Sequence, residues 1–124
     1  MMISNLLKLF IIVYMQKNKV VTFGEIMVRL GAPDYLKLIQ SNSLDVSYAG
    51  AEANVAVSLA HYGISTDYIT CLPDNPIAER CVMELRGHRV GVDHIQRSGK
   101  RMGILYLETG SNMRPSKVFY DREY

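Results

Sequence analysis

At Tyr48-Ala49-Gly50-Ala51 the periodicity of the chain changes from two residues to about 3.6. That restricts it to folds in which a strand feeds straight into a helix. Leu44, Val46 and Tyr48 alternate with Asp45 and Ser47, which predicts a strand with one apolar and one wet face. Val55, Leu59 and Tyr62 then recur on one helical stripe with Ala56 and Ala60 beside it, until Gly63 supplies a stop. The turn between them, Ala49-Gly50-Ala51-Glu52-Ala53-Asn54, can also do chemistry. Small residues let a ligand approach the backbone, and the first N–H groups of a helix lack intrahelical acceptors. The same spacing serves equally well for a tight connection that holds no ligand.

The flanking segments extend the pattern. Val20-Val21-Thr22-Phe23 is a short β-rich run suited to a buried strand of a parallel sheet, and it ends at Gly24. Glu25 then stands at the carboxyl end of that strand, where ligands of open α/β sheets gather. Ile26, Val28 and Leu30 alternate with Met27 and Arg29 until Gly31-Ala32-Pro33-Asp34 breaks the run. Asp67 to Leu72 reads as a further core strand, followed by the turn Pro73-Asp74-Asn75-Pro76 and a helix through about Arg86. Val90, Val92 and Ile95 start another short extended segment. Strand, helix, strand, helix in this order argues for a parallel α/β sheet with right-handed crossovers.

Near the end two more strands are expected. Leu105 and Leu107 alternate with Ile104, Tyr106 and Glu108, and Phe119 and Asp121 alternate with Val118, Tyr120 and Arg122. If they pair as a hairpin with Gly110 opposite Ser116, Tyr106 faces Tyr120 across the ladder. Two phenols and a guanidinium then share one face. Such a face suits a small, hydroxylated, anionic ligand, because rings cover sugar carbons and Arg122 can grip a carboxylate with a bidentate fork. A plain solvated sheet face with Tyr–Tyr and Tyr–Arg packing has the same sequence.

Composition narrows the partners. Fourteen basic residues against twelve acidic ones, with no Lys/Arg run, argue for neither nucleic acid nor an anionic membrane as partner. Cys71 and Cys81 match no zinc or redox pattern and read as reduced thiols of a cytoplasmic protein. His61, His88 and His94 lack metal-ligand spacing as well, so no metal site is expected. Ile3 to Met15 is apolar but interrupted by Asn5 and Lys8, too short for a comfortable membrane span and without the features of a signal peptide. Residues 1–18 are therefore expected to lie outside the fold as an apolar leader, with Met15 as the natural start.

The runs Val21-Thr22-Phe23-Gly24-Glu25, Tyr48 to Ala60, Gly103-Ile104-Leu105-Tyr106 and Val118-Phe119-Tyr120-Asp121-Arg122 together resemble the N-terminal part of a ribokinase-type (PfkB) carbohydrate kinase. Within that family the likeness is to the 2-keto-3-deoxygluconate kinases, over residues 19–124. The resemblance implies a ribokinase-like α/β fold, with a parallel sheet, helices and a small β-lid, of which only the N-terminal part is here. It also implies that Gly50 offers backbone contact to a sugar acid, that Asn54 holds its hydroxyls, and that Tyr106, Tyr120 and Arg122 contact it. Two positions depart from the family pattern. Ala49 stands where the first glycine of a Gly-Gly pair is common, and Glu52 stands where many relatives carry proline. Glu52 suits the keto-deoxygluconate branch.

Family members carry a Gly-Ala-Gly-Asp anion hole, whose aspartate is the general base, beside a nucleotide site. This sequence has no such motif and no Gly-x-x-x-x-Gly-Lys-Ser/Thr loop. The resemblance therefore implies a substrate-binding segment with no catalytic residue of its own. Its full-length form would use ATP and Mg2+ on a small sugar acid, with a homo-oligomer through the lid strands. By itself the segment would bind neither cofactor and would be inactive. Two alternatives stand beside this reading: another PfkB sugar or nucleoside kinase, of fructokinase or ribokinase type, and a non-catalytic sugar-binding or interaction module.

Overall fold

The computed structural model describes residues 18–122; the expected leader falls almost wholly outside the described residues. Two layers of strands share the core, the first made of two short parallel pairs and the second a four-stranded sheet. In the first, β1 (Val20–Phe23) runs parallel to β4 (Thr66–Ile69), with Val20 opposite Thr66 and Phe23 opposite Ile69. The chain continues past Thr70 into β5 (Cys71–Leu72), which pairs in parallel with β6 (Gln96–Arg97). Gly91 joins the same layer by exchanging bonds with β4: its N–H donates to the Thr66 carbonyl at 2.8 Å, and its carbonyl accepts from Tyr68 at 2.9 Å.

The second sheet has the order β3-β2-β7-β8. Its strands are β2 (Met27–Gly31), β3 (Asp45–Ala49), β7 (Ile104–Glu108) and β8 (Lys117–Asp121). The central pair β2–β7 is parallel, and each outer strand is antiparallel to its neighbour. The small lid that the resemblance implies falls on these four strands, and a short 3-10 helix, Leu38–Gln40, lies in the connection between β2 and β3.

Helix α1 (Ala51–His61) starts where the periodicity switch predicts, with Gly50 as an extended N-cap that makes no side-chain capping bond. The helix packs across β1 and β4. Its buried stripe is Ala53, Ala56 and Ala60, whereas Val55 and Tyr62 of the expected stripe face solvent. The sheet selects the small residues because a methyl-sized side chain lets the helix axis come close to the strands. Helix α2 (Pro76–Gly87) has a complete N-terminal signature: proline at its first position and the Asn75 side chain accepting from the Ala78 N–H at 2.9 Å. It buries Ala78, Cys81, Val82 and Leu85, spaced at three and four residues, against the core.

Tyr68 is fully buried at the centre, and its hydroxyl donates to the Gly24 carbonyl at 2.7 Å. That bond is why a phenol can sit in the core without an unsatisfied oxygen. Burial pushes the Tyr68 phenol up to about 12.

Two further expectations on burial are corrected, and one strand forms later than expected. The strand β1 is covered on the side of α1 only, so Val21 and Phe23 point outward, Phe23 at 76% exposure. On β3, an edge strand, Tyr48 alone of the three alternating apolar residues reaches the core; Leu44 and Val46 remain exposed. Val90 and Val92 are buried, but the strand they lead into forms later, at Gln96–Arg97.

Candidate functional site

Gly24, Glu25 and Ile26 link the two sheets, and the site is built around this linker. Its backbone is fixed from three sides. The Gly24 carbonyl receives the Tyr68 hydroxyl, Ile26 is buried in the core, and Gly50 lies against the Glu25 backbone. A Cβ at position 50 would meet the Glu25 carbonyl oxygen and stand 3.1 Å from the Ile26 Cα. Gly50 is therefore demanded by a crossing of two chain segments. The Glu52 side chain reaches back over Gly24, so the second departure from the family pattern also closes onto this linker.

At the carboxyl ends of β1, β5 and β6 opens a cavity of about 860 Å³. Glu25, Lys100, Arg101 and Arg122 supply its charge, and Phe23, Leu72 and Met102 supply its apolar wall. Arg122 Nη1 donates to Glu25 Oε1 at 3.0 Å. The guanidinium carbon also lies 4.8 Å from the centre of the Tyr120 ring, in cation–π range. Next to it, Arg101 Nη2 is paired with Asp121 Oδ1 at 3.0 Å, so the two arginines are anchored to different carboxylates.

The hairpin does not have the register expected from the sequence. Tyr106 pairs with Phe119, and Leu105 pairs with Tyr120. Directly opposed residues share a face and neighbours alternate, so Tyr106 and Tyr120 lie on opposite faces of the sheet. Two phenols and a guanidinium on one face is thus corrected to one phenol and a guanidinium, with Tyr106 on the far side beside Phe119 and Leu30.

The cause lies in the connection. Ser111 and Arg114 close a tight turn, with the Arg114 N–H on the Ser111 carbonyl at 3.0 Å and left-handed backbone at Asn112 (φ 47°) and Met113 (φ 66°). The Gly110 N–H is taken by the Ser116 hydroxyl at 2.9 Å and not by the opposing backbone. A two-residue turn, Asn112-Met113, thus replaces the five-residue loop expected, and because the Ser111–Arg114 bridge keeps the register of the strands, the ladder lies one residue away from the one expected.

Of the five residues singled out from sequence, the structure brings Tyr120 and Arg122 into direct contact and ties Gly50 to Arg122 through Glu25. Asn54 is exposed and lines a different cavity, of about 300 Å³, between α1 and α2 with Tyr48, Ser58, Cys81 and Glu84. Glu25 and Lys100 were not among the five. The signal for Glu25 was its place just after Gly24, at the strand's carboxyl end. Nothing in the pattern around Lys100 marked it.

Among the described residues no three His, Cys, Asp or Glu side chains converge as metal ligands, and no helix is long and apolar enough to cross a membrane. His61 and His88 meet pairwise, Nε2 to Nδ1 at 3.0 Å, with ring centres 5.1 Å apart. The contact is a hydrogen bond between two imidazoles whose rings are tilted by 41°.

Comparisons with known proteins agree with this architecture. The chain is 42% identical over 106 residues to a 2-dehydro-3-deoxygalactonokinase of Haloferax volcanii, covering 84% of this chain and 33% of that protein. It is 32% identical over 106 residues to a 2-dehydro-3-deoxygluconokinase of Bacillus subtilis, again 84% of this chain and 33% of the relative. The crystal structure of 2-dehydro-3-deoxygluconokinase from Thermotoga maritima superposes with a TM-score of 0.82 at 52% identity, over 84% of this chain and 32% of that one. The chain thus spans about a third of the length of the relatives it matches. The family model for pfkB family carbohydrate kinases matches residues 17–123. With its parallel core sheet, its second four-stranded sheet and this match over most of its length, the chain belongs to the pfkB family of carbohydrate kinases.

Proposed function

We propose that this segment supplies the substrate-binding part of a longer ATP-dependent kinase acting on a 2-keto-3-deoxy sugar acid, 2-keto-3-deoxygluconate (2-dehydro-3-deoxygluconate) foremost. The observation that carries the reading is Arg122, stacked on Tyr120 at the mouth of the larger cavity. A guanidinium there suits a carboxylate, and the adjoining phenol ring covers sugar carbons. The names of the Haloferax, Bacillus and Thermotoga relatives support a keto-deoxy sugar acid over a neutral sugar. The gluconate and galactonate substrates in those names differ in configuration at one carbon, so both epimers belong in the assay.

In this reading Arg122 binds the carboxylate, Tyr120 stacks beside it, and Gly50 keeps the linker low enough to leave room for the sugar. Tyr106 acts from the other face of the sheet, through packing. Asn54 would need to reach the sugar from the first turn of α1.

ATP would supply the phosphoryl group, and Mg2+ would neutralise charge on it. The described residues do not make a place for either by themselves: no three ligating side chains converge, and the sequence has no phosphate-binding glycine loop. Those functions fall to the remainder of the longer protein, and this segment alone is expected to show no phosphorylation above a no-protein blank. The test is an assay of the full-length protein on both keto-deoxy epimers and on fructose and ribose. Preference for a neutral sugar would overturn the substrate reading.

A further inference from the structure

Resting on the sugar-acid reading, we propose that Glu25 is a positioning residue for substrate recognition: it holds the Arg122 guanidinium in place over the cavity. Arg122 follows β8, the outer strand of the second sheet, and its side chain is 42% exposed. A long arginine in such a place loses considerable rotamer freedom when it binds, and that loss weakens binding.

Glu25 sits on backbone that is held at three points. The carbonyl before it is bonded by the buried Tyr68 hydroxyl, its own carbonyl packs on Gly50, and Ile26 after it is in the core. The 3.0 Å bond from Arg122 Nη1 to Glu25 Oε1 therefore transfers the rigidity of the first sheet to a cation on the edge of the second.

Two neighbours shape the pair. Tyr120 supports the guanidinium from one side, at 4.8 Å. Gly103 leaves the space it needs: a Cβ there would lie 3.3 Å from the Arg122 Cγ and 3.4 Å from Glu25 Oε2. A planar guanidinium carries five N–H donors, so chemistry of this kind can serve two carboxylates at once. Glu25 thus fixes the orientation of the fork that the substrate meets, and its negative charge also moderates the cavity's pull on anions in general.

The experiment is steady-state kinetics on the full-length protein with Glu25→Ala and Glu25→Gln, alone and combined with Arg122→Ala. Expected for Glu25→Ala is a rise of about tenfold in KM for the sugar acid, corresponding to one charge-assisted bond's worth of orientation. Its kcat stays within about threefold and its KM for ATP stays put. Glu25→Gln, which keeps an accepting oxygen and the side-chain shape, falls between wild type and Glu25→Ala. In the Arg122→Ala background Glu25→Ala has no further effect on the sugar acid.

A sugar-acid KM within about twofold of wild type, a parallel rise in KM for ATP, or additivity with Arg122→Ala overturns the role of Glu25 alone. Wild-type protein with no turnover of either keto-deoxy epimer overturns the substrate reading and, with it, this inference.

Discussion

The Glu25 carbonyl oxygen occupies the space that a Cβ on residue 50 would need, so Gly50 is fixed by a crossing of the chain with itself. The obstacle is backbone, which cannot rotate away. Gly50→Ala is expected to destabilise the full-length protein by about 1–3 kcal/mol in urea unfolding, as overpacking at a closed site does. A change below about 0.5 kcal/mol would show that the linker yields.

The observed hairpin register makes a separate claim. Tyr106 and Phe119 are opposed, so a double-mutant cycle between them should return a coupling of about 0.2–1 kcal/mol. The same cycle between Tyr106 and Tyr120 should return about zero. Met113 is held at φ 66° on a fully exposed loop, so Met113→Gly should be neutral or stabilising by up to about 1 kcal/mol.

How far the sequence was legible follows from these cases. The switch at Gly50 was visible because period-two and period-3.6 patterns meet there, and both elements formed within a residue of the expected place. The buried stripe of α1 was less visible, since Ala53, Ala56 and Ala60 carry little hydrophobic signal beside Val55 and Tyr62. The sheet chose them for size. The register was invisible for a different reason: a tight turn with two left-handed residues is announced by Asn-Gly, and here the pair is Asn112-Met113. A shift of one residue then moved Tyr106 to the far face. Glu25 could be placed at the strand end, but its ion pair with Arg122, 97 residues away, exists only in three dimensions.

The two cysteines should differ in chemistry. Burial pushes the Cys81 thiol from about 9 up to about 12, so it stays protonated under mildly alkaline conditions, whereas Cys71 is exposed. Native-state alkylation at pH 8 should modify Cys71 and spare Cys81, read by peptide mass. The stability effect has a definite sign. Between pH 9 and about 12 the unfolded thiol has lost its proton while the folded one keeps it, so stability falls as pH rises, by at most about 1.4 kcal/mol per pH unit. Cys81→Ala should flatten that part of the profile; an unchanged slope would contradict the assignment.

Val118, Phe119 and Tyr120 are all exposed on β8, an outer strand of the second sheet. An apolar outer strand of this kind is a site for pairing with a second copy. The full-length protein is expected to run as a dimer in size-exclusion chromatography with light scattering, and Phe119→Lys is expected to shift it toward monomer. A wild-type monomer at the highest concentration tested would contradict this.

The central claim, that Arg122 makes the pocket selective for a sugar acid, is tested most directly by one comparison. It is kcat/KM of the full-length Arg122→Ala variant and of wild type on 2-keto-3-deoxygluconate and on fructose. Loss of a charge-paired anchor should lower the value for the acid by about 100-fold and narrow the preference for the acid over fructose by at least tenfold. Equal losses on both substrates, or no loss on the acid, would contradict the account.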